Sequence, residues 1–344
     1  MTPAPPGERT VVRAPNHLGD VVMALPALAA AGGADVLVAR WLAPLLENAR
    51  EEAGFGRVLP LDRGARGLLR AAGELRRARY DRGILLTPSF SSALVFALGR
   101  VRRRRGTATD SRAALLTERV PRIEGSVHRA AAYWALVTGE VPGRPPVPLL
   151  PVPERERARW RELAGEADGP LVGLFPGSHA SSRRWDAERY AELARRLAGR
   201  GLRVAVFGSP GERALTAAVA GEHALDLGGR TDLPLLAAGL AECDLLVSND
   251  SGPMHLAAAV GTRTVSLQGP ADPAVTRPLG QGHLLVWGGD LPCIPCVRNQ
   301  CPRGGAGYVL PDAERECMRL IGVDAVEAAV GARLPVLQRP GCVP

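Results

Sequence analysis

Asp250, Ser251, Gly252 and His255 fall in one short run whose residue types suit a ligand-binding loop. They fall where an apolar stretch, Asp244 to Ser248, gives way to the Ala-rich segment Met254 to Val260. The first stretch suits a buried parallel strand and the second a helix, with Pro253 marking the helix start. Backbone N–H groups at a helix start lack partners within the helix and carry partial positive charge. Ser251 and Gly252 can therefore approach a phosphate, the glycine leaving room for it. The plainer reading is that Asp250 or Ser251 only caps the helix and that His255 faces solvent.

A second candidate lies near the start of the chain. In VVRAPNHLGDVVMALPALAAA an apolar strand at Thr10 to Ala14 runs through a turn, Pro15 to Gly19, into a helix from Asp20 to Ala31. Asp20 stands at the mouth of that helix, where a carboxylate can cap the helix. His17 and Gly19 belong to the same turn. Between these segments, FPGS at Phe175 to Ser178 is followed by Ser181, Ser182, Arg183, Arg184 and Trp185. Glycine-containing loops follow two later strands, with Gly208 and Ser209 in VFGSPGE and Gly229 to Thr231 in LGGRTDL.

Taken together, PxxLGDVVMxLPAL at Pro15 to Leu28, FPGS with RRW at Arg183 to Trp185, and NDSGPMHLAAA at Asn249 to Ala259 resemble the ADP-heptose:lipopolysaccharide heptosyltransferases, glycosyltransferase family 9. The likeness covers about Thr10 to Ala328. It implies an α/β fold of GT-B architecture, two Rossmann-like domains facing across a cleft, and an inverting transfer of a heptose or related sugar. The implied partners are a nucleotide-diphosphate sugar donor and an anionic glycolipid or glycan acceptor. The resemblance assigns Asp20 as the base and Arg183 as the phosphate cation, where the family generally has a lysine; arginine keeps the charge but changes reach, so Arg184 is the alternative. It places Asp250 against sugar hydroxyls and His255 on the phosphate or sugar side. The amides of Ser251 and Gly252 and the hydroxyls of Ser178, Ser181 and Ser182 are the candidates for the diphosphate cradle, Gly208, Ser209 and Gly229 to Thr231 for the nucleotide, and His17, beside Gly19 in the first turn, for orienting acceptor or diphosphate.

Such a transfer also needs something to stabilise the departing diphosphate. Enzymes that use a metal for this usually carry an Asp-x-Asp pair, and none occurs here. Protein groups are then expected to do it, with no cofactor. A sugar-nucleotide epimerase of similar architecture and a non-catalytic nucleotide-sugar-binding protein are the competing readings. A dinucleotide oxidoreductase is disfavoured because no GxGxxG follows the first strand.

Composition sets wider bounds. At 344 residues, 46% of them hydrophobic, the chain has material for two cores. All 43 basic residues are arginine and the net charge is +8, which favours anionic ligands or acidic membrane surfaces without naming one. The run Arg100 to Arg105 invites a nucleic-acid reading. Only 4% of residues are aromatic and no nucleic-acid-binding motif accompanies the run, which disfavours nucleic acid; the resemblance puts this region on the acceptor side, with acceptor loops around Ser89 to Ser92 and Arg100 to Arg112. No stretch of about 18 apolar residues occurs, and the N-terminus has no apolar signal core, so the expectation is a cytoplasmic protein with peripheral contact at the inner membrane face.

Six cysteines are present, four of them clustered as Cys293, Cys296, Cys301 and Cys317. Their spacing suits a zinc or iron-sulfur site, or free thiols packing a long loop in a reducing compartment. The family's chemistry is not known to need a metal. Alternating strands and helices fill residues 1–140, a linker with six prolines spans Gly139 to Glu154, and the rhythm restarts over 155–344 with a Cys-rich loop at 290–318.

Overall fold

The computed structural model describes residues 8–123, 125–165, 168–301 and 315–334. Residues 1–7, Pro302 of the cysteine segment and Cys342 lie outside them. The chain divides into two units, Met1–Pro151 and Val152–Pro344. The first runs β1 (Thr10–Arg13), α1 (Leu18–Ala30), β2 (Asp35–Ala39), α2 (Ala43–Ala53), β3 (Val58–Leu61), α3 (Gly64–Ala78), β4 (Arg82–Leu85), α4 (Phe90–Leu98), β5 (Arg103–Thr107), β6 (Glu118–Val120) and α5 (Arg129–Thr138). The second runs α6 (Glu154–Ala164), β7 (Leu171–Phe175), α7 (Ala187–Gly199), β8 (Arg203–Gly208), α8 (Arg213–Ala220), β9 (Leu225–Gly228), α9 (Leu233–Ala241), β10 (Leu245–Asn249), α10 (Gly252–Ala259), β11 (Arg263–Gln268), α11 (Pro273–Thr276), β12 (Leu284–Trp287), α12 (Glu316–Arg319) and α13 (Val323–Gly331).

Each unit holds one six-stranded sheet, ordered β3-β2-β1-β4-β5-β6 and β9-β8-β7-β10-β11-β12. All pairings are parallel. Central strands are covered on both faces, which is why β1, β7 and β10 read as apolar runs rather than alternating ones. Helix α7 shows the complementary pattern: Tyr190, Leu193, Ala194 and Leu197 form its buried stripe. In each sheet the strand order reverses beside the first strand, between β1 and β4 and between β7 and β10. The loops leaving the carboxyl ends of those strands are where a fold of this topology binds ligands.

The local expectations need correction in places. Helix α1 begins at Leu18, two residues before Asp20, because His17 supplies the extended N-cap backbone. The segment after β2 forms a 3-10 turn, Arg40–Leu42, that leads directly into α2. The acceptor loops expected near Ser89–Ser92 and Arg100–Arg112 are largely regular structure. Ser89 caps α4 by accepting the Ser92 N–H, and Arg103–Thr107 is strand β5, paired on both sides. The arginines there fit a strand because their long side chains reach fixed acceptors. Arg104 donates to the Val101 and Leu115 carbonyls, Arg105 donates to the Leu136 carbonyl, and Arg102 pairs with Asp81 at 3.2 Å. Buried Arg112 likewise bonds the carbonyls of Thr87 and Thr107, which ties the segments after β4 and β5 together.

Candidate active site

In the second unit, Asn249 at the end of β10 organises the loops. Its side-chain oxygen accepts the Trp185 N–H at 3.0 Å, and its amide donates to the Pro176 carbonyl at 2.8 Å. The FPGS loop after β7, the RRW segment and the start of α10 are thus tied to one buried side chain. Trp185 is fixed on its other edge, where the indole N–H donates to the Ile321 carbonyl at 2.8 Å, and it packs edge-on against Tyr190.

Arg183, on the 3-10 turn Ser181–Arg183, reaches Asp250 at 3.0 Å. The Asp250 side chain is 2% exposed and that of Arg183 21%. A carboxylate this deep needs a cation beside it. The Arg183 Nε is buried with no acceptor among the described residues, while the side chain as a whole stays 21% exposed. Arg184 is exposed and directs its Nε to the Ser178 carbonyl at 2.8 Å. Of the two candidate cations, Arg183 is the one at the NDSG loop.

Helix α10 begins at Gly252 with Ser251 as its N-cap residue in extended backbone, and no side chain caps it. The Ser251 side chain therefore does not serve as the cap; its hydroxyl lies 3.3 Å from that of Ser248. His255 is buried, not solvent-facing. The hydroxyls of Ser181 and Ser182 turn to the carbonyls of Asn299 and Arg298, so both anchor the cysteine segment, and Ser178 is buried beside them in sequence.

The glycine loops after β8 and β9 meet directly, with the Gly229 N–H donating to the Gly208 carbonyl at 2.8 Å. Gly229 has φ +65, and a Cβ there would lie 2.8 Å from the Pro210 Cα, so only glycine fits without a shift. Glu212 accepts from both the Ser209 N–H and its hydroxyl, and a Cβ on Gly177 would collide with that carboxylate at 2.0 Å. Thr231 follows in the turn into α9.

In the first unit Asp20 sits in the first turn of α1, and no side chain caps that helix. Its carboxylate turns to α5 instead: Arg129 Nη1 donates to Asp20 Oδ1 at 2.7 Å. The Tyr133 phenol lies against the same carboxylate. Burial, then the Asp20 charge and a side-chain hydrogen bond to it, raise the Tyr133 pKa well above the ordinary phenol range. His17 is exposed and Gly19 buried in the turn. Beneath it Arg13 is buried, its pKa lowered to about 10 by burial, donating to the Leu37 carbonyl and the Asn16 side chain.

A model of glycosyltransferase family 9 (heptosyltransferase) matches residues 68–306. Lipopolysaccharide heptosyltransferase 2 of Escherichia coli K12 is 32% identical over 305 residues, which cover 81% of this chain and 87% of that protein. The chain belongs to glycosyltransferase family 9. Lipooligosaccharide heptosyltransferase 2 of Haemophilus ducreyi is 29% identical over 81% of this chain and 88% of its own length. The solved structure of E. coli ADP-heptose lipopolysaccharide heptosyltransferase II aligns over 96% of this chain and all of its own, with a TM-score of 0.78 at 25% identity. The two parallel six-stranded units are those of the GT-B architecture, and the protein is a glycosyltransferase rather than an epimerase or a passive binder.

Within this glycosyltransferase the cysteines are close together. Burial, and after it the neighbouring Cys301, Cys293 and Cys296, push the Cys317 thiol up to about 11. Among the described residues no three or more His, Cys, Asp or Glu side chains are arranged to hold a metal ion. Sequence reasoning passed over four side chains that organise the site: Asn249, Glu212, Arg129 and Tyr133. A signal for the last pair was present, since HRAAAYW puts Arg129 and Tyr133 four residues apart on one helix face. His128 is the α5 cap, its Nδ1 accepting the Ala130 N–H at 3.2 Å.

Proposed function

We propose that this glycosyltransferase moves a heptose from ADP-heptose to a lipopolysaccharide inner-core or related cell-surface glycan, with inversion. The relatives named heptosyltransferase 2 support the donor and the acceptor class. The observation that carries the chemistry is the buried Arg183–Asp250 pair beside the uncapped start of α10. There, guanidinium and helix amides converge where a diphosphate would develop charge.

In the proposed step the acceptor hydroxyl oxygen attacks the anomeric carbon as the bond from that carbon to the diphosphate oxygen breaks. The hydroxyl proton passes to Asp20, and ADP leaves with the bonding pair. Arg183 and the amides of Ser251 and Gly252 stabilise the leaving diphosphate; Asp250 and His255 position the donor sugar, and the Gly208–Ser209 and Gly229–Thr231 loops receive the nucleotide. His17 and Gly19 line the acceptor approach.

No helix among the described residues is long and apolar enough to cross a membrane. We infer action at the cytoplasmic face of the inner membrane. Exposed Trp41 and Leu69 lie next in sequence to Arg40 and Arg70, which share Asp62 as their partner, with Arg66 exposed nearby in sequence; this face is the one we read as suited to peripheral contact with acidic lipid. The experiment is to incubate purified protein with a panel of nucleotide sugars and heptose-deficient lipopolysaccharide, and to read product mass. A heptose added from ADP-heptose supports the reading; transfer from another donor only, or none, overturns it.

A further inference from the structure

Asp20 is placed by α5 rather than by its own helix. The carboxylate stands in the first turn of α1, where such a group commonly bonds local amides, yet no side chain caps α1. Arg129 opens α5, directly after its cap His128. A cation at the positive end of a helix is unfavourable, and an anion beside it offsets that. The Arg129 Nη1 meets Asp20 Oδ1 at 2.7 Å. One turn along the same face, Tyr133 is 9% exposed and keeps its proton, so its phenol can donate to the carboxylate at all working pH values. The Asp20 side chain is 14% exposed, enough for one oxygen to be reached from outside.

We infer that Arg129 and Tyr133 are positioning residues for the reaction: from one face of α5 they hold the Asp20 carboxylate so that its exposed edge is presented to the acceptor hydroxyl. This rests on the reading of Asp20 as the base. A base misplaced by about 1 Å can cost on the order of a hundredfold in rate, so an orienting pair has a measurable effect without touching substrate.

The test uses Arg129→Met, which keeps an apolar stem against α1, together with Arg129→Lys and Tyr133→Phe. Each is made in the Asp20 and the Asp20→Asn backgrounds. Transfer from ADP-heptose to heptose-deficient lipopolysaccharide is measured as kcat and as KM for each substrate, with ADP-heptose affinity by calorimetry and fold by thermal melting. Arg129→Met is expected to lower kcat about tenfold to a hundredfold with donor affinity unchanged. Arg129→Lys should restore much of that loss and Tyr133→Phe should cost less than Arg129→Met. None of the three should slow the Asp20→Asn protein further, because a residue acting through Asp20 has nothing left to act on. The inference is overturned if Arg129→Met lowers kcat equally in both backgrounds, or if it raises only the acceptor KM, which would make Arg129 an acceptor contact. Full transfer by Asp20→Asn alone would instead remove the base itself, a failure distinct from either.

Discussion

Two aspartate–arginine pairs, one in each unit, look alike in composition and differ in burial. Asp250 is 2% exposed and its partner Arg183 21%, whereas Asp20 is 14% exposed and Arg129 39%. In the second unit the carboxylate is enclosed, and the pair is an internal part of the loop framework that Asn249 ties together. In the first unit the carboxylate is held but still reachable. The same ionic chemistry thus yields a fixed binding element in one place and a candidate reacting group in the other. Desolvation makes the difference: a charge with water at hand tolerates loss of its partner, and an enclosed one does not.

The comparison can be broken most directly at Asp20. Replacing it with Asn should reduce transfer by about 10²- to 10⁴-fold while ADP-heptose affinity, read by calorimetry, stays the same. Loss of donor affinity in parallel would make the two aspartates functionally equivalent.

The next effect is on stability. Arg183→Met leaves Asp250 enclosed without its cation and should destabilise the protein by about 3 to 5 kcal/mol in denaturant melts, while Arg129→Met should cost about 1 kcal/mol or less. Equal costs would show that burial does not distinguish the pairs. Arg183→Met should also weaken ADP binding, and Arg184→Met should weaken it less.

A smaller change sharpens the role of the loop framework. Ser182→Ala removes the hydroxyl bonded to the Arg298 carbonyl and should cost about 1 kcal/mol, leaving transfer within a few-fold of normal. A large loss of transfer without loss of stability would return Ser182 to the diphosphate site.

The smallest effect is chemical. With its pKa raised to about 11 by burial and by the three neighbouring thiols, Cys317 carries little thiolate at pH 8. Peptide mapping during alkylation should find it modified after the less buried Cys293, Cys296 and Cys301.

Much of this was legible in the sequence because it is local. Strands buried on both faces read as apolar runs, and NDSG before an Ala-rich segment reads as a helix start, so the doubly wound pattern and the loops at strand ends followed from short-range periodicity. The reading failed where side-chain reach mattered. The arginine run read as an acceptor loop instead includes strand β5, where the guanidiniums of Arg104 and Arg105 find carbonyls. Ser181 and Ser182 look like phosphate ligands until a segment more than a hundred residues away in sequence claims their hydroxyls.

Sequence alone determined the alternation of strands and helices, the family likeness and the candidate acidic, basic and glycine positions, since each depends on residues within a turn or two of one another. Tertiary structure alone decided which arginine meets which aspartate: Arg183 finds Asp250 across 67 positions and Arg129 finds Asp20 across 109. It also set how much water each pair retains. Those outcomes depend on where packed helices and strands bring distant chain segments, and burial is a property of the packed core that no local window of residues contains.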